Sequence, residues 1–313
     1  MSNGNPFSAD VMAQFNGDPQ DKTKPGLLQQ TMGPMQVARK VFPTTVTGND
    51  NAIPADTIDL KTGVPTTGQT RPFATLLKPF TLYPVHVNDP ALTMAKNQVT
   101  LGGQALALVE DTLFLQGNSI QLPQGGGTSV NLPPGDQAKL DDGLLGIASS
   151  NKTINVFPGE KNTYGLATYS AVVQGIAIFT ADQQGPPYAL ILSPDVFADT
   201  NLSLEDESMI TPYSAILALM GPGGQLVMSP GMPNLTGLLA SMGGQTTTLY
   251  TGTGPLVEYN AYENSVYSFT ARESIQFLNI DSRSLIQLTF EVKASKSAQQ
   301  ASQTAQQKEQ PQK

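Results

Sequence analysis

The sequence has no cysteine and no tryptophan, and its single histidine is His86. Without thiols there is no disulfide, no thiolate metal site and no cysteine nucleophile. One imidazole alone cannot build a His/Cys zinc site, and no HExxH or ExxH pair accompanies it. Charge is scarce too. Asp, Glu, Lys and Arg make up 13% of the chain, against about 25% in an ordinary soluble domain. The net charge of −8 leaves no basic face to neutralise phosphates, so direct nucleic-acid binding is not expected. No run of 18 or more apolar residues occurs, so no membrane span is expected. Residues 1–21 are polar, without a basic-then-apolar leader pattern, which makes a cytoplasmic chain the expectation.

What the chain does have is 313 residues, 39% of them hydrophobic, with 29 Gly and 24 Pro. That length buries a sizeable core in one large domain or two intertwined ones. A monomer relies on surface charge to stay dispersed, whereas subunit interfaces are depleted of charge at their centres. The composition therefore fits a loop-rich protein whose surface is largely covered by copies of itself.

The first fifty residues read as irregular, with a short helix from Ala9 to Phe15 capped by Ser8, then breaks at Gly17, Pro19, Pro25, Gly33 and Pro34. Residues 49–71 have neither helical nor clear strand periodicity, which marks a functional or extended loop. Residues 71–87 read as extended. A long helix follows, with Ala95, Val99, Gly102, Leu106, Val109 and Leu113 on one face and Leu101, Leu108 and Leu115 on an adjacent stripe. Asp89 and Pro90 suit its start and Gly117 its end. Residues 121–139 form a Gly/Pro-rich surface insertion. A second helix is expected through Leu166, Tyr169, Val173, Ile176 and Phe179, then the strand YALILS (188–193), then helices begun by Ser193-Pro194 and Thr211-Pro212. From Thr246 the chain reads as β, most clearly in LIQLTFEV, and residues 293–313 lack an apolar face and are expected to be disordered.

A search for chemistry returns little. There is no G-x-S-x-G elbow, and the glycine turns at 221–225 and 252–255 lack the Lys-Ser/Thr of a phosphate loop. The acidic groups Glu205–Asp206–Glu207, Asp141–Asp142 and Glu110–Asp111 read as solvated clusters, because adjacent side chains point apart. His86 reads as a packed or surface residue. No catalytic residue, cofactor or metal site is expected.

Several segments in fixed order carry a resemblance. They are RPF…LKPFTL (71–82), ALVEDTLFLQG (107–117), GLLGI (143–147), AIFTAD…GPPYALILSPD (177–195), GGQLVMSPGM (223–232), EY…YSFTARESIQF (258–277) and SLIQLTF (284–290). Together they resemble the encapsulins, nanocompartment shell proteins with the HK97-type capsid fold. The resemblance implies an α+β subunit with an N-terminal arm (1–48), an extended loop (49–71), a discontinuous peripheral domain (72–142 and 243–292) bearing a long spine helix, an apical α/β domain (143–242) and a tail (293–313). It implies self-assembly into an icosahedral shell around a cargo enzyme such as a peroxidase or ferritin-like protein. The same fold also serves phage major capsid proteins, which package a genome in a virion, and this is the alternative reading; an enzyme ranks third. By resemblance, VARKVF places cargo docking at Val37, Arg39, Val41 and Phe42. Intersubunit contact falls on Asp56, Ile58, Leu60 and Lys61 of the loop. The expected amphipathic N-terminal helix of the family is here interrupted by Gly and Pro.

Overall fold

The computed structural model describes residues 4–17, 24–49, 51–58, 64–119, 130–159, 163–202, 211–244 and 246–292. The expected tail, Leu60, Lys61, the 205–207 cluster and residues 121–129 of the Gly/Pro-rich insertion lie outside the described residues.

The arm holds three short helices, α1 (Ala9–Asn16), α2 (Leu27–Met32) and α3 (Val37–Val41). Ser8 caps α1 by accepting the Val11 amide at 3.3 Å, as its position predicts. Phe7 and Phe15 anchor this helix in a ring cluster: Phe7 lies 5.6 Å from Phe15 and 5.4 Å from Phe269, which lies 5.5 Å from Phe80. Each such pair contributes roughly 0.5–1.5 kcal/mol beyond the area it buries.

Strand β1 (Thr44–Val46) leads into the loop, which forms two small antiparallel ladders. Strand β2 (Ala52–Pro54) pairs with β5 (Thr70–Pro72), and β3 (Thr57–Ile58) pairs with β4 (Pro65–Thr66). The described parts of the segment without readable periodicity thus pair with one another in two short ladders. Its base is rooted in its own subunit, since Ile53 and Ala55 pack with Phe73 and Leu278 in a separate small core.

Next come β6 (Ala74–Leu82), the single turn α4 (Pro84–Val87) and the spine helix α5 (Thr93–Gln116). Asp89 accepts the amides of Ala91 and Thr93, each at 3.0 Å, and so closes the helix start. Gly117, at φ +65°, ends it. Every residue of the first expected stripe is buried. The second stripe divides: Leu115 is fully buried while Leu101 is 49% exposed, because only the last turns of the spine are covered all round. Gly103 permits a close helix crossing, since a Cβ there would lie 3.2 Å from the Leu28 carbonyl oxygen of α2.

The remaining elements are α6 (Gly143–Asn151), β7 (Thr153–Val156), α7 (Gly165–Ala181), β8 (Tyr188–Leu192), α8 (Pro194–Thr200), α9 (Pro212–Leu219), β9 (Gln225–Met228), β10 (Thr236–Ser241), β11 (Thr247–Thr251), β12 (Leu256–Glu263), β13 (Val266–Asn279) and β14 (Leu285–Phe290). Strand β13 organises one sheet: β6 lies along one edge, while β12 and then β11 lie along the other. The other sheet runs β7-β14-β10-β8-β9, with α7 packed against it.

Strand β14 corrects the expected division of the chain. Residues 285–290 were assigned to the peripheral part, yet they pair with β7 and β10 inside the apical sheet. The physical reason is burial: Ile286, Leu288 and Phe290 face the apical core, while Leu285 packs into the peripheral one. A second difference concerns caps. Thr211 caps α9 by accepting the Ser214 amide, but the Ser193 hydroxyl makes no cap to α8 and accepts the Thr236 amide at 3.4 Å.

Candidate functional site

Two features stand out: a groove beside the arm, and exposed apolar side chains on the apical helices. The groove has a volume of about 970 Å³ and runs between α1, α2 and the turn before β12. Met12, Ala13, Met32 and Leu256 supply apolar lining, and Asp10, Asn16, Gln36 and Arg39 supply polar lining. Asn16 fixes one wall by exchanging two hydrogen bonds with the backbone of Val257, at 2.6 and 3.0 Å.

Of the four residues expected to dock cargo, Arg39 lines this groove. Val37, Val41 and Phe42 are 3–7% exposed and point into the subunit's own core, so they support the groove from beneath. The short helix turns its apolar face onto the spine helix, which leaves those side chains no outward surface.

Beneath the groove lies a buried charged cluster. Arg39 Nε donates to Glu110 at 2.5 Å, and its Nη2 donates to Glu273 on β13. Gln36 donates to the other oxygen of Glu110. Asp111 accepts the amides of Val37 and Ala38 at 2.7 and 3.0 Å, capping α3 from the neighbouring helix. Burial alone would lower the guanidinium pKa, but the Glu110 and Glu273 carboxylates outweigh it, so Arg39 stays charged. Glu110 and Asp111 are 0% and 1% exposed, which overturns the reading of this pair as solvated. An acidic pair inside LALVEDTLFL was itself the signal. Two charges surrounded by that much apolar helix need buried partners.

The apical helix α7 shows the second feature. Its packing face comes closest to the sheet at Gly175, where a Cβ would lie 2.4 Å from Leu239 Cδ2. Ala171, Val172 and Phe179 are buried alongside. Two residues of the series that marked this helix in the sequence face out, with Leu166 55% and Val173 44% exposed. Leu202 and Leu217 add further exposed leucines on the neighbouring segments.

Asp56 is exposed and accepts the Gly68 amide at 3.0 Å, which draws the two legs of the loop together. His86 ends in a local role. Its Nδ1 accepts the Tyr83 amide at 3.4 Å, and the rings meet edge to face at 5.6 Å. Among the described residues no group of three or more acidic or His side chains is arranged to hold a metal ion, and no helix is long and apolar enough to cross a membrane.

The architecture has clear counterparts. The family described as encapsulating protein for peroxidase matches residues 140–276. A virus-like particle from Pyrococcus furiosus shares the fold at a TM-score of 0.61, with 13% identity over 84% of this chain and 96% of that one. An encapsulin complex from Synechococcus elongatus aligns at 0.54, with 11% identity over 92% and 99% of the two chains. The chain has the capsid-subunit fold that these structures share. The capsid of Myoviridae phage XM1 is also similar, at a TM-score of 0.51 and 12% identity over 82% of this chain and 92% of that one. No curated protein matches the sequence. The α+β architecture with its long spine helix agrees with the HK97-type fold expected from the sequence.

Proposed function

We propose that this subunit tiles with its own copies into a closed icosahedral compartment in the cytoplasm and encloses a cargo enzyme. The observation that carries the reading is the outward stripe of α7. Leu166 and Val173 face solvent on a helix whose other side already buries Val172 and Phe179, so apolar side chains lie on both faces. Low charge across the whole sequence supports the same conclusion. Contacts of this kind are heterologous, and a rotation that closes leaves no free edge.

In this reading, the loop carrying Asp56, Ile58, Leu60 and Lys61 reaches a neighbouring subunit while its base stays in its own core. Cargo, a peroxidase or ferritin-like enzyme, is held by a short peptide in the groove beside Arg39, above the supporting Val37, Val41 and Phe42. The groove mixes apolar side chains such as Met12 and Leu256 with polar ones such as Asp10, Asn16 and Arg39, which suits a peptide of alternating apolar and polar side chains.

Negative-stain microscopy of the purified chain, expressed with and without a candidate cargo, tests the proposal. Uniform closed particles, filled only when cargo is present, are the expected result. Particles that form only with a separate scaffold, or that contain nucleic acid, would favour the phage-capsid reading.

A further inference from the structure

Glu110, Asp111 and Glu273 converge beneath the arm at 0–1% exposure. They are brought there by two elements far apart in sequence, the spine helix and β13, and the arm supplies Arg39 to bridge Glu110 and Glu273. Strand β6 contributes one more titratable group on this face, Lys78, which pairs in register with Ala271, two positions from Glu273. Arg272 points to the opposite face and pairs with Glu258 at 3.0 Å, and Lys40 turns outward to the Pro34 carbonyl. With Lys78 counted, three carboxyls still meet two cations.

Hydrogen bonding shows where the excess charge is relieved. Both oxygens of Asp111 accept backbone amides, an arrangement that suits the ionised carboxylate. Glu273 differs, because its Oε2 is buried and has no hydrogen-bond partner among the described residues. An ionised oxygen left bare in the interior is costly. A hydroxyl there carries no such cost, and Glu110 stands beside it as the neighbouring carboxylate on the same Arg39 guanidinium.

We propose that Glu273 carries a buried proton on its orphaned oxygen, and that this proton latches the N-terminal arm to the spine helix and β13, so that its loss at alkaline pH loosens the arm. Burial first, then the neighbouring Glu110 charge, raises Glu273 from its ordinary 4.5 to about 8, with Arg39 opposing. Burial and Glu110 also raise Asp111, to about 7, against the two amides it accepts. A folded-state value above the unfolded one means that the folded chain binds the extra proton. The stabilisation is therefore complete below about 4.5 and is lost as pH rises through about 8.

Hydrogen exchange of the purified full chain, corrected for intrinsic rates at each pH, tests the latch. Protection of the α3 amides should fall about tenfold between about pH 6.5 and 9.5, while α7 serves as an internal control. Glu273→Gln, which is neutral at every pH and keeps the side chain's shape, should flatten that dependence. A flat wild-type profile, or an unchanged slope in Glu273→Gln, overturns the proposal. Infrared difference spectra of the wild type give an answer even if the variant fails to fold. A protonated carboxylic acid band should be present at about pH 6.5 and gone by about pH 9.5; its absence at the lower pH would also overturn the latch.

Discussion

Asp111 accepts the Val37 amide at 2.7 Å, so a carboxylate on the spine helix caps a helix of the arm 74 residues earlier in the chain. The third arm helix has five residues and no cap of its own, and this bond replaces one. Asp111→Asn keeps the shape but offers a single acceptor oxygen to two amides. A loss of about 1–2 kcal/mol is expected, read as a lower denaturation midpoint. An unchanged midpoint would show that the arm is held by its apolar face alone.

The same cluster shows what could and could not be read from residues in order. The spine helix was legible because its apolar spacing and its Gly117 stop agree, and the family resemblance placed it correctly. The partners of Glu110 were not legible. Arg39 and Glu273 lie 71 and 163 positions away, and only the tertiary crossing of the arm, the spine helix and β13 unites them. The apical helix failed differently. Both of its faces are apolar, so periodicity announced a helix but could not say which face packs; small Gly175 settles that by steric closeness. Strand β14 reads as a strand from its alternation, but alternation does not name the sheet it joins.

Leu166→Glu combined with Val173→Glu tests the outward stripe. Both side chains face solvent in the lone subunit, so circular dichroism and the subunit's fold should be unchanged. Charge placed in a buried contact is costly, and the repeated contact multiplies that cost. Sedimentation should show loss of particles in favour of small species. Particles of normal size would remove α7 from the assembly surface.

The loop invites a precise deletion. Removing residues from Asn51 onward would take Ile53 and Ala55 out of their own core, and truncating a buried Ile side chain alone costs about 2–5 kcal/mol. Deleting residues 57–66 spares them, and the Asp56–Gly68 bond shows that the legs are close enough to rejoin. The shortened subunit should fold but fail to form closed shells. Intact particles after this deletion would refute the proposed contact with a neighbour.

Groove occupancy is tested at residues that line it without joining the charged cluster. Met12→Glu with Leu256→Glu should leave the shell intact and strip it of co-expressed cargo. Equal loading in the variant would place docking elsewhere. Because Val37, Val41 and Phe42 are buried, their replacement would destabilise the arm and report on folding instead.

The claim on which the others rest is that the native chain completes its surface with copies of itself. Mass photometry of the purified protein at high dilution, with circular dichroism on the same sample, addresses it directly. The expected result is one narrow population at an icosahedral multiple of the subunit mass. A well-folded sample that remains monomeric would contradict it.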